Sequence, residues 1–587
     1  MSTAILGINA FHGDSSAALV VDGKLVAAVE EERFNRVKHW AGFPAESIRY
    51  CLAAGGITVK ELDHVSVSFN PRANLHVKAA FALRHAFAAR SYIWQRVKRT
   101  GKQTSLRQQL AEATGVAEGE VRAQFHSVEH HQAHIASGFP VSPYKEAAIL
   151  SIDGMGDFVS TMLAGGQGNA WRVYDKIYYP HSIGLLYSSV TMLLGFPHYG
   201  DEYKVMGLAP YGRPRQVEAL RKVIKPTATG FELDLKYFRH QSEGIRLGWD
   251  GGAPVVSPFY SLKLEDLLGP TRDPKTKVTE LHQDIAASLQ TVTEEIILHL
   301  LNVLHRKHPS DNAVIVGGVA MNSVANGKIT AQTPFKSAYI PAGAADNGGS
   351  FGSAFFVWHR TLSKPRTFEL KHGYWGPEPE EAAILAALKA ESARVRAEKL
   401  GRAALIERTV DALCRGEVVG WFQGRMEFGA RALGNRSLLA DPRRTDMRDI
   451  INLKIKFREK FRPFAPSILE EHVAAYFERD EPAPFMEKVF KIREEKRAEI
   501  PAVTHVDGTG RLQSVSRETN PLYWDLIESF RKRTGVPILL NTSLNENEPI
   551  VHTPAQALSC FLRTRMDVIV LGPHFVVRSD DRPLEQR

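Results

Sequence analysis

The ten residues from Phe125 to His134, F-H-S-V-E-H-H-Q-A-H, carry four imidazoles. His130 and His134 stand four apart, a spacing that stacks two side chains on one face of a helix, where two imidazoles can hold one metal ion. His131 then points elsewhere, and His126 falls on the strand or loop before. Two imidazoles are half a ligand set. An arbitrary H-x-x-x-H is more often a polar helix end with surface histidines, so the metal reading needs carboxylates brought in by the fold. Asp153, in S-I-D-G-M-G-D, and Asp346, in A-A-D-N-G-G-S, are the two good candidates.

Other stretches have the composition of anion sites. A-V-I-V runs into G-G-V-A-M-N, a strand ending in Gly317 and Gly318 at a helix start, where a nucleotide can lie against backbone. Further on, Arg425, Arg431, Arg436, Lys454, Lys456, Arg458 and Arg462 alternate with Gly, aromatic and Pro residues. Guanidinium groups in such numbers suit phosphates or carboxylates of a ligand, with a basic surface patch as the bland alternative. Asn541, Ser543 and Asn545 lie just past the strand V-P-I-L-L, a place where polar side chains meet ligands.

The elements that must position these groups are readable in outline. Ala4–Ala10, A-A-L-V-V and K-L-V-A-A-V read as three strands, the last two joined by a hairpin turn at Asp22-Gly23. A helix is expected over Ala45–Ala54. The same order recurs from Glu146: a strand, the acidic Gly turn Asp153–Asp157, a returning strand and a third. A duplication of this kind suggests two similar halves facing across a cleft, with the turns His12–Ser15 and Asp153–Asp157 at its floor; two unrelated hairpins would look the same. Apolar residues three and four apart predict a helix over Leu281–His305, and Asn312–Val316 a buried strand. Leu75–Arg107 reads as a basic amphipathic helical excursion with Phe81, Phe87, Tyr92 and Trp94 interleaved, and Lys225–Lys277 as an irregular insertion. Leu362–Pro379 has the composition of a linker.

The whole chain sets the bounds. With 587 residues, two or more domains are expected. Apolar and charged contents of 44% and 24% are those of a globular protein, and no apolar run spans a bilayer. The start M-S-T-A-I-L-G-I has neither basic region nor cleavage site, so a cytoplasmic location is expected. Cys51, Cys414 and Cys560 are isolated, against a disulfide framework or a cysteine zinc site. A net charge of +9 fits nucleic acid or pockets for small anions equally well.

Taken together these blocks resemble the NodU/CmcH-type O-carbamoyltransferases over nearly the entire chain. The resemblance rests on H-G-D-S-S-A-A, E-E-R-F-x-R-x-K-H, H-H-Q-A-H, S-I-D-G-M-G-D, H-S-I-G-L-L-Y, E-Y-K-V-M-G-L-A-P-Y-G, G-G-V-A-M-N-S-V-A-N, G-R-M-E-F-G-A-R-A-L-G-N-R-S, K-F-R-E-K-F-R-P-F-A-P-S and N-T-S-L-N, in that order. It implies an α/β protein of two domains. Residues 1–365 would form an actin-like, sugar-kinase-type (ASKHA) duplicated ribonuclease-H-like domain, and 366–587 a YrdC-like domain. The second would make carbamoyl-adenylate from carbamoyl phosphate and ATP, with Mg2+ accompanying the nucleotide. The first would pass the carbamoyl group to a hydroxyl of a small-molecule acceptor, a natural product or glycan.

Carried over residue by residue, the resemblance makes His130, His134, Asp153 and Asp346 ligands of a divalent metal, with Fe(II) the ion it implies. It makes His12 the base that takes the acceptor's proton, with Asp14 orienting it or contacting the metal. Gly317, Gly318 and Asn322 would line the adenosine. Arg425, Arg436, Lys456, Arg458 and Arg462 would cradle the triphosphate and carbamoyl phosphate, and Ser543 and Asn545 match the S-x-N pair of YrdC-like domains. This chain has H-G-D-S-S where many relatives have H-D-A-S, so an extra Gly13 separates His12 from Asp14. The alternatives are a tRNA threonylcarbamoylation-type enzyme, supported only by the basic Leu75–Arg107 stretch, and a non-catalytic nucleotide- or nucleic-acid-binding protein. The leading reading expects a small-molecule partner and neither membrane nor nucleic acid.

Overall fold

Alternating apolar segments and tight turns build the amino-terminal sheet of the computed structural model, which describes residues 2–84, 105–245, 247–251 and 253–579. The chain divides into two compact units, Met1–Leu370 and Lys371–Arg587, a boundary inside the linker-like stretch and a few residues past 365.

In the first unit, β1 (Ala4–Asn9), β2 (Ser16–Val21) and β3 (Lys24–Glu30) form an antiparallel meander; β4 (His64–Val67) and β5 (Gln124–Ser127) continue it in parallel from β1. The strand order is β3-β2-β1-β4-β5. A second sheet repeats it. Here β6 (Glu146–Gly156), β7 (Val159–Gln167) and β8 (Ala170–Tyr178) are the meander, and β9 (Asn312–Val316) and β10 (Ser337–Tyr339) run parallel to β6, giving β10-β9-β6-β7-β8. The weak echo in the sequence is therefore one topology used twice in a mixed α/β arrangement.

Helices cover these sheets where the apolar period changes from two to between three and four residues. The first is α1 (Ala45–Ala54), which buries Ile48, Cys51 and Leu52 against the first sheet. Then come α2 (His130–Gly138), α3 (Ile183–Leu193), the long α4 (Glu280–Lys307) and α5 (Gly349–Phe356). In α4, Ile285, Leu289, Val292, Ile296 and Leu300 are all buried, the face that the sequence period marks. No described helix is long and apolar enough to cross a membrane.

The basic excursion is described only in part. Leu75–Arg84 is a helix with no buried residue, and Phe81 meets Phe158 and Tyr179 edge-on; Phe87, Tyr92 and Trp94 lie outside the described residues. The stretch from Lys225 to Lys277 holds short hairpins and helices rather than an irregular loop.

The second unit is built on one mixed nine-stranded sheet. Its strands are β11 (Val395–Lys399), β12 (Val419–Phe422), β13 (Arg436–Ala440), β14 (Ala465–Leu469), β15 (Lys488–Lys491), β16 (Thr509–Val515), β17 (Ile538–Ser543), β18 (Val568–Leu571) and β19 (His574–Arg578), in the order β11-β19-β18-β12-β13-β17-β14-β16-β15. Helices α6 (Arg402–Cys414), α7 (Pro521–Thr534) and α8 (Pro554–Arg563) pack their apolar faces onto it, around Trp421, Phe422, Tyr523 and Phe530.

Candidate functional site

The helical spacing of His130 and His134 puts both rings on one face of α2, and β6 carries Asp153 to them. The Nε2 atoms lie 3.0 Å apart, and His130 Nε2 is 3.0 Å from Asp153 Oδ2. Asp346, in the turn that leads into α5, completes the group: its Oδ1 is 3.5 Å from His130 Nε2 and 3.4 Å from His134 Nε2. All four offer an atom within 4.8 Å of the others. His130, His134 and Asp153 are buried. Asp346 Oδ1 is buried and has no hydrogen bond among the described residues, nor has His134 Nδ1. The nitrogen–nitrogen and nitrogen–oxygen spacings of 3.0 to 3.6 Å match the edges of a ligand shell whose bonds are about 2.1 Å. The donor set thus fits a divalent cation, and N/O chemistry of this kind suits Fe, Mn and Zn alike.

The electrostatics are those of a site where protons and a cation compete. Burial would lower the His134 imidazole, but the two carboxylates outweigh it and hold it up at about 9. Burial would raise Asp153, yet the two imidazoles hold it well below the usual carboxylate range. His131, in the same turn, faces away and serves the fold: its Nδ1 meets Ser151 Oγ at 2.8 Å and its Nε2 the Val159 carbonyl at 3.0 Å, and burial pushes it down to about 3.

Two neighbours prepare α2. The acidic turn D-G-M-G-D divides its labour: Asp157 does not join the cluster but accepts from the backbone amides of His130, at 2.9 Å, and Asn70, at 2.7 Å. It therefore caps the first turn of the histidine helix from the other hairpin. Gly156 is required by the ring of His130, because a Cβ there would lie 2.0 Å from the imidazole.

His12 joins this group from the loop after β1. Its Nδ1 lies 3.2 Å from Asp346 Oδ2 and its ring 5.5 Å from that of His130. Its Nε2 has no hydrogen bond among the described residues. An N–H donated from Nδ1 to the carboxylate leaves the lone pair on Nε2, the tautomer of a base. Asp14 takes neither role expected of it. Its Oδ1 pairs with His39 Nδ1 at 2.8 Å, and with Glu32 these residues form a separate cluster.

The residues expected to line the adenosine also make structural hydrogen bonds. The Gly318 amide donates to Asp153 Oδ1 at 3.0 Å, supporting that carboxylate, and Gly317 donates to Ala344. Asn322 is buried; its side chain caps the next helix and exchanges hydrogen bonds with Gln290, both 3.0 Å long, so its amide is committed to structure.

In the second unit, Lys456 is buried with its Nζ on the loop after β17. It donates to the Ser543 carbonyl at 2.6 Å, the Asn545 carbonyl at 2.8 Å and Asn545 Oδ1 at 2.5 Å. Ser543 Oγ in turn donates to Asn545 Oδ1 at 2.7 Å. Arg458 donates to Asn452 and lies over the Phe464 ring, and Arg462 faces Glu459 at 3.7 Å. Arg425 and Arg436 are not gathered into this group. Arg436 is wholly buried over Phe422 and donates to the carbonyls of Gln423, Gly424, Asn435 and Pro377. Arg425 donates to the carbonyls of Trp375 and Gly376.

Sequence reading missed Arg511, which stands on β16. Burial and the positive charges of Arg431, Arg458 and Arg462 hold it well below its ordinary pKa, and its Nε has no hydrogen bond among the described residues. Its only signal is a lone charged residue in the strand T-G-R-L-Q-S-V. Guanidinium groups gathered around a buried one suit a multiply charged anion.

Comparison with known proteins agrees over both units. The pattern of the carbamoyltransferase N-terminus matches residues 4–355, and that of the carbamoyltransferase C-terminus residues 410–578. Uncharacterized protein sll1178 of Synechocystis sp. is 41% identical, over 100% of this chain and 98% of that protein. Nodulation protein NolNO of Sinorhizobium fredii is 37% identical, over 98% and 80%. Nodulation protein U of the same species is 23% identical, over 92% and 93%.

Proposed function

Because the chain belongs to the carbamoyltransferase family, we propose that it is an ATP-dependent O-carbamoyltransferase acting on a hydroxyl of a small molecule, a natural product or glycan. In this reading the second unit is YrdC-like and makes carbamoyl-adenylate from carbamoyl phosphate and ATP with Mg2+. The first unit then transfers the carbamoyl group.

One observation carries the reading: His12 is held by Asp346 through Nδ1 while its Nε2 stays bare beside the four-donor cluster. A base is then oriented by a carboxylate that also belongs to the cation site, so proton removal and carbonyl activation are coupled in space. His12 Nε2 takes the proton of the acceptor hydroxyl as that oxygen attacks the carbamoyl carbon, a task suited to an imidazole. His130, His134, Asp153 and Asp346 would hold the metal, iron in this proposal; when bound, it supplies a Lewis acid for the carbonyl or the adenylate phosphate. In the second unit, Lys456 tied to Ser543 and Asn545 supports the YrdC-like assignment, with Arg458, Arg462 and Arg511 supplying positive charge for the phosphates.

The test is to incubate the protein with ATP, carbamoyl phosphate and a panel of hydroxylated metabolites and to follow AMP and carbamate-bearing products by mass. AMP release that depends on carbamoyl phosphate, with a carbamate on one acceptor, is expected. Release that needs tRNA, threonine and bicarbonate instead would overturn the reading.

A further inference from the structure

The loop between α3 and the short helix Glu202–Leu208 brings Tyr199 over the residues that flank the base. A Cβ at Gly13 would lie 2.6 Å from the Tyr199 hydroxyl oxygen and 2.7 Å from its ring. The phenol therefore occupies the space that a side chain between His12 and Asp14 would fill. Gly13, the residue that sets H-G-D apart from H-D, is what admits it. The ring stands edge-on to His39 at 5.3 Å, and His39 is itself pinned by Asp14, so the phenol is braced from one side. Its hydroxyl has no hydrogen bond among the described residues. Burial and the negative charges of Asp346, Asp14 and Asp153 hold it well above its ordinary pKa, so it keeps its proton at neutral pH.

We infer that Tyr199 is a catalytic residue of the transfer step, its hydroxyl donating a hydrogen bond to the carbamoyl carbonyl oxygen as negative charge grows there. The inference rests on the carbamoyl-transfer reading above. In the step, the acceptor oxygen forms a bond to the carbamoyl carbon and its proton goes to His12 Nε2. The bond from that carbon to the adenylate phosphate oxygen breaks, and its electron pair leaves with AMP. Tyr199 keeps its proton throughout. A phenol suits this role because the acids whose charges reach it, Asp346, Asp14 and Asp153, cannot donate once ionised. A fixed donor aimed at a developing oxyanion is worth about 10²- to 10³-fold in rate.

The test uses the full-length protein with ATP and carbamoyl phosphate, water serving as acceptor when no other is added. Tyr199→Phe keeps the ring on His39 and removes only the hydroxyl. Expected is a loss of about 10²-fold in single-turnover AMP release, with the first turnover of pyrophosphate release and the thermal midpoint unchanged. Gly13→Ala, which crowds the phenol, should lose transfer in the same selective way. AMP release by Tyr199→Phe at the wild-type rate would overturn the assignment, as would an equal loss of pyrophosphate and AMP release. Failure of the underlying reading has a different signature, wild-type protein that releases no AMP in response to carbamoyl phosphate, and this would overturn both.

Discussion

His12 Nδ1 and Asp346 Oδ2 meet at 3.2 Å across 334 residues of sequence, joining the loop after the first strand to the last acidic turn of the first unit. The carboxylate presents its other oxygen to His130 and His134. Asp346 is thus shared between the imidazole of His12 and those of His130 and His134, and the roles proposed for them can be separated by mutation.

His12→Ala should leave pyrophosphate release intact and lower carbamoyl transfer by about 10²- to 10⁴-fold, the range of a lost general base. Bound metal should stay at the wild-type level. Metal analysis and single-turnover assays on one preparation check this, and parallel loss of both half-reactions would contradict it.

Asp153→Asn should behave differently. It removes one charged donor and leaves His130 and His134 facing a neutral amide, so metal content should fall sharply while the second unit still releases pyrophosphate. Stripping the wild-type protein with a chelator should reproduce the variant, and re-adding the metal should restore transfer to the wild type only.

Gly156→Ala tests the packing around α2. With a Cβ 2.0 Å from the His130 ring, the ring or strand must move, and overpacking of this kind costs about 1–3 kcal/mol. A lower thermal midpoint and weaker metal retention are expected together. Asp157→Ala should lower the midpoint as well, through a loss of about 0.5–2 kcal/mol in stability for a missing helix cap, without crowding the ring.

The pair of Asp14 and His39 predicts a pH effect. Burial would lower the imidazole, but Asp14 and Glu32 outweigh it and raise it from 6.5 to about 9. Because the folded value lies above the unfolded one, the pair's stabilisation is complete below about pH 6.5 and is lost as pH rises through about 9. The thermal midpoint of the wild type should fall over that window, and Asp14→Asn should flatten the fall. A variant with the same slope would show that another group titrates.

Two arginines of the second unit should separate structure from ligand. Arg436→Ala strands the carbonyls of Gln423 and Gly424 in a buried site, while those of Asn435 and Pro377 keep the backbone amides of Gln423 and Met426; the unit should be destabilised, each orphaned group costing about 1–3 kcal/mol. Arg462→Ala should leave the thermal midpoint nearly unchanged and raise the KM for ATP or carbamoyl phosphate about tenfold or more, as expected for a lost charge-assisted hydrogen bond.

What the sequence revealed follows from what is local. The spacing of His130 and His134 is a helical property, and the repeat of strand, acidic turn and strand is a property of hairpins, so both could be read directly. Asp14 could not. Its backbone sits at φ 59°, in the left-handed region, and the chain direction after Gly13 turns its carboxylate to His39 rather than to the cluster. Arg436 and Arg462 look alike in a Gly- and aromatic-rich stretch, because the sequence does not tell a guanidinium that turns inward onto carbonyls, as Arg436 does, from one that lies beside a carboxylate, as Arg462 does. Tyr199 and Arg511 carry no spacing signal at all; what marks them is the company the fold gives them.

The four candidate cation ligands come from α2, β6 and the turn before α5, so the last of them, Asp346, emerges from the ribosome more than two hundred residues after the first. A nascent chain that has displayed only His130, His134 and Asp153 offers an incomplete claw. An ion held by all four would therefore be loaded late in biosynthesis, once the chain had been made as far as Asp346 and folded back onto α2.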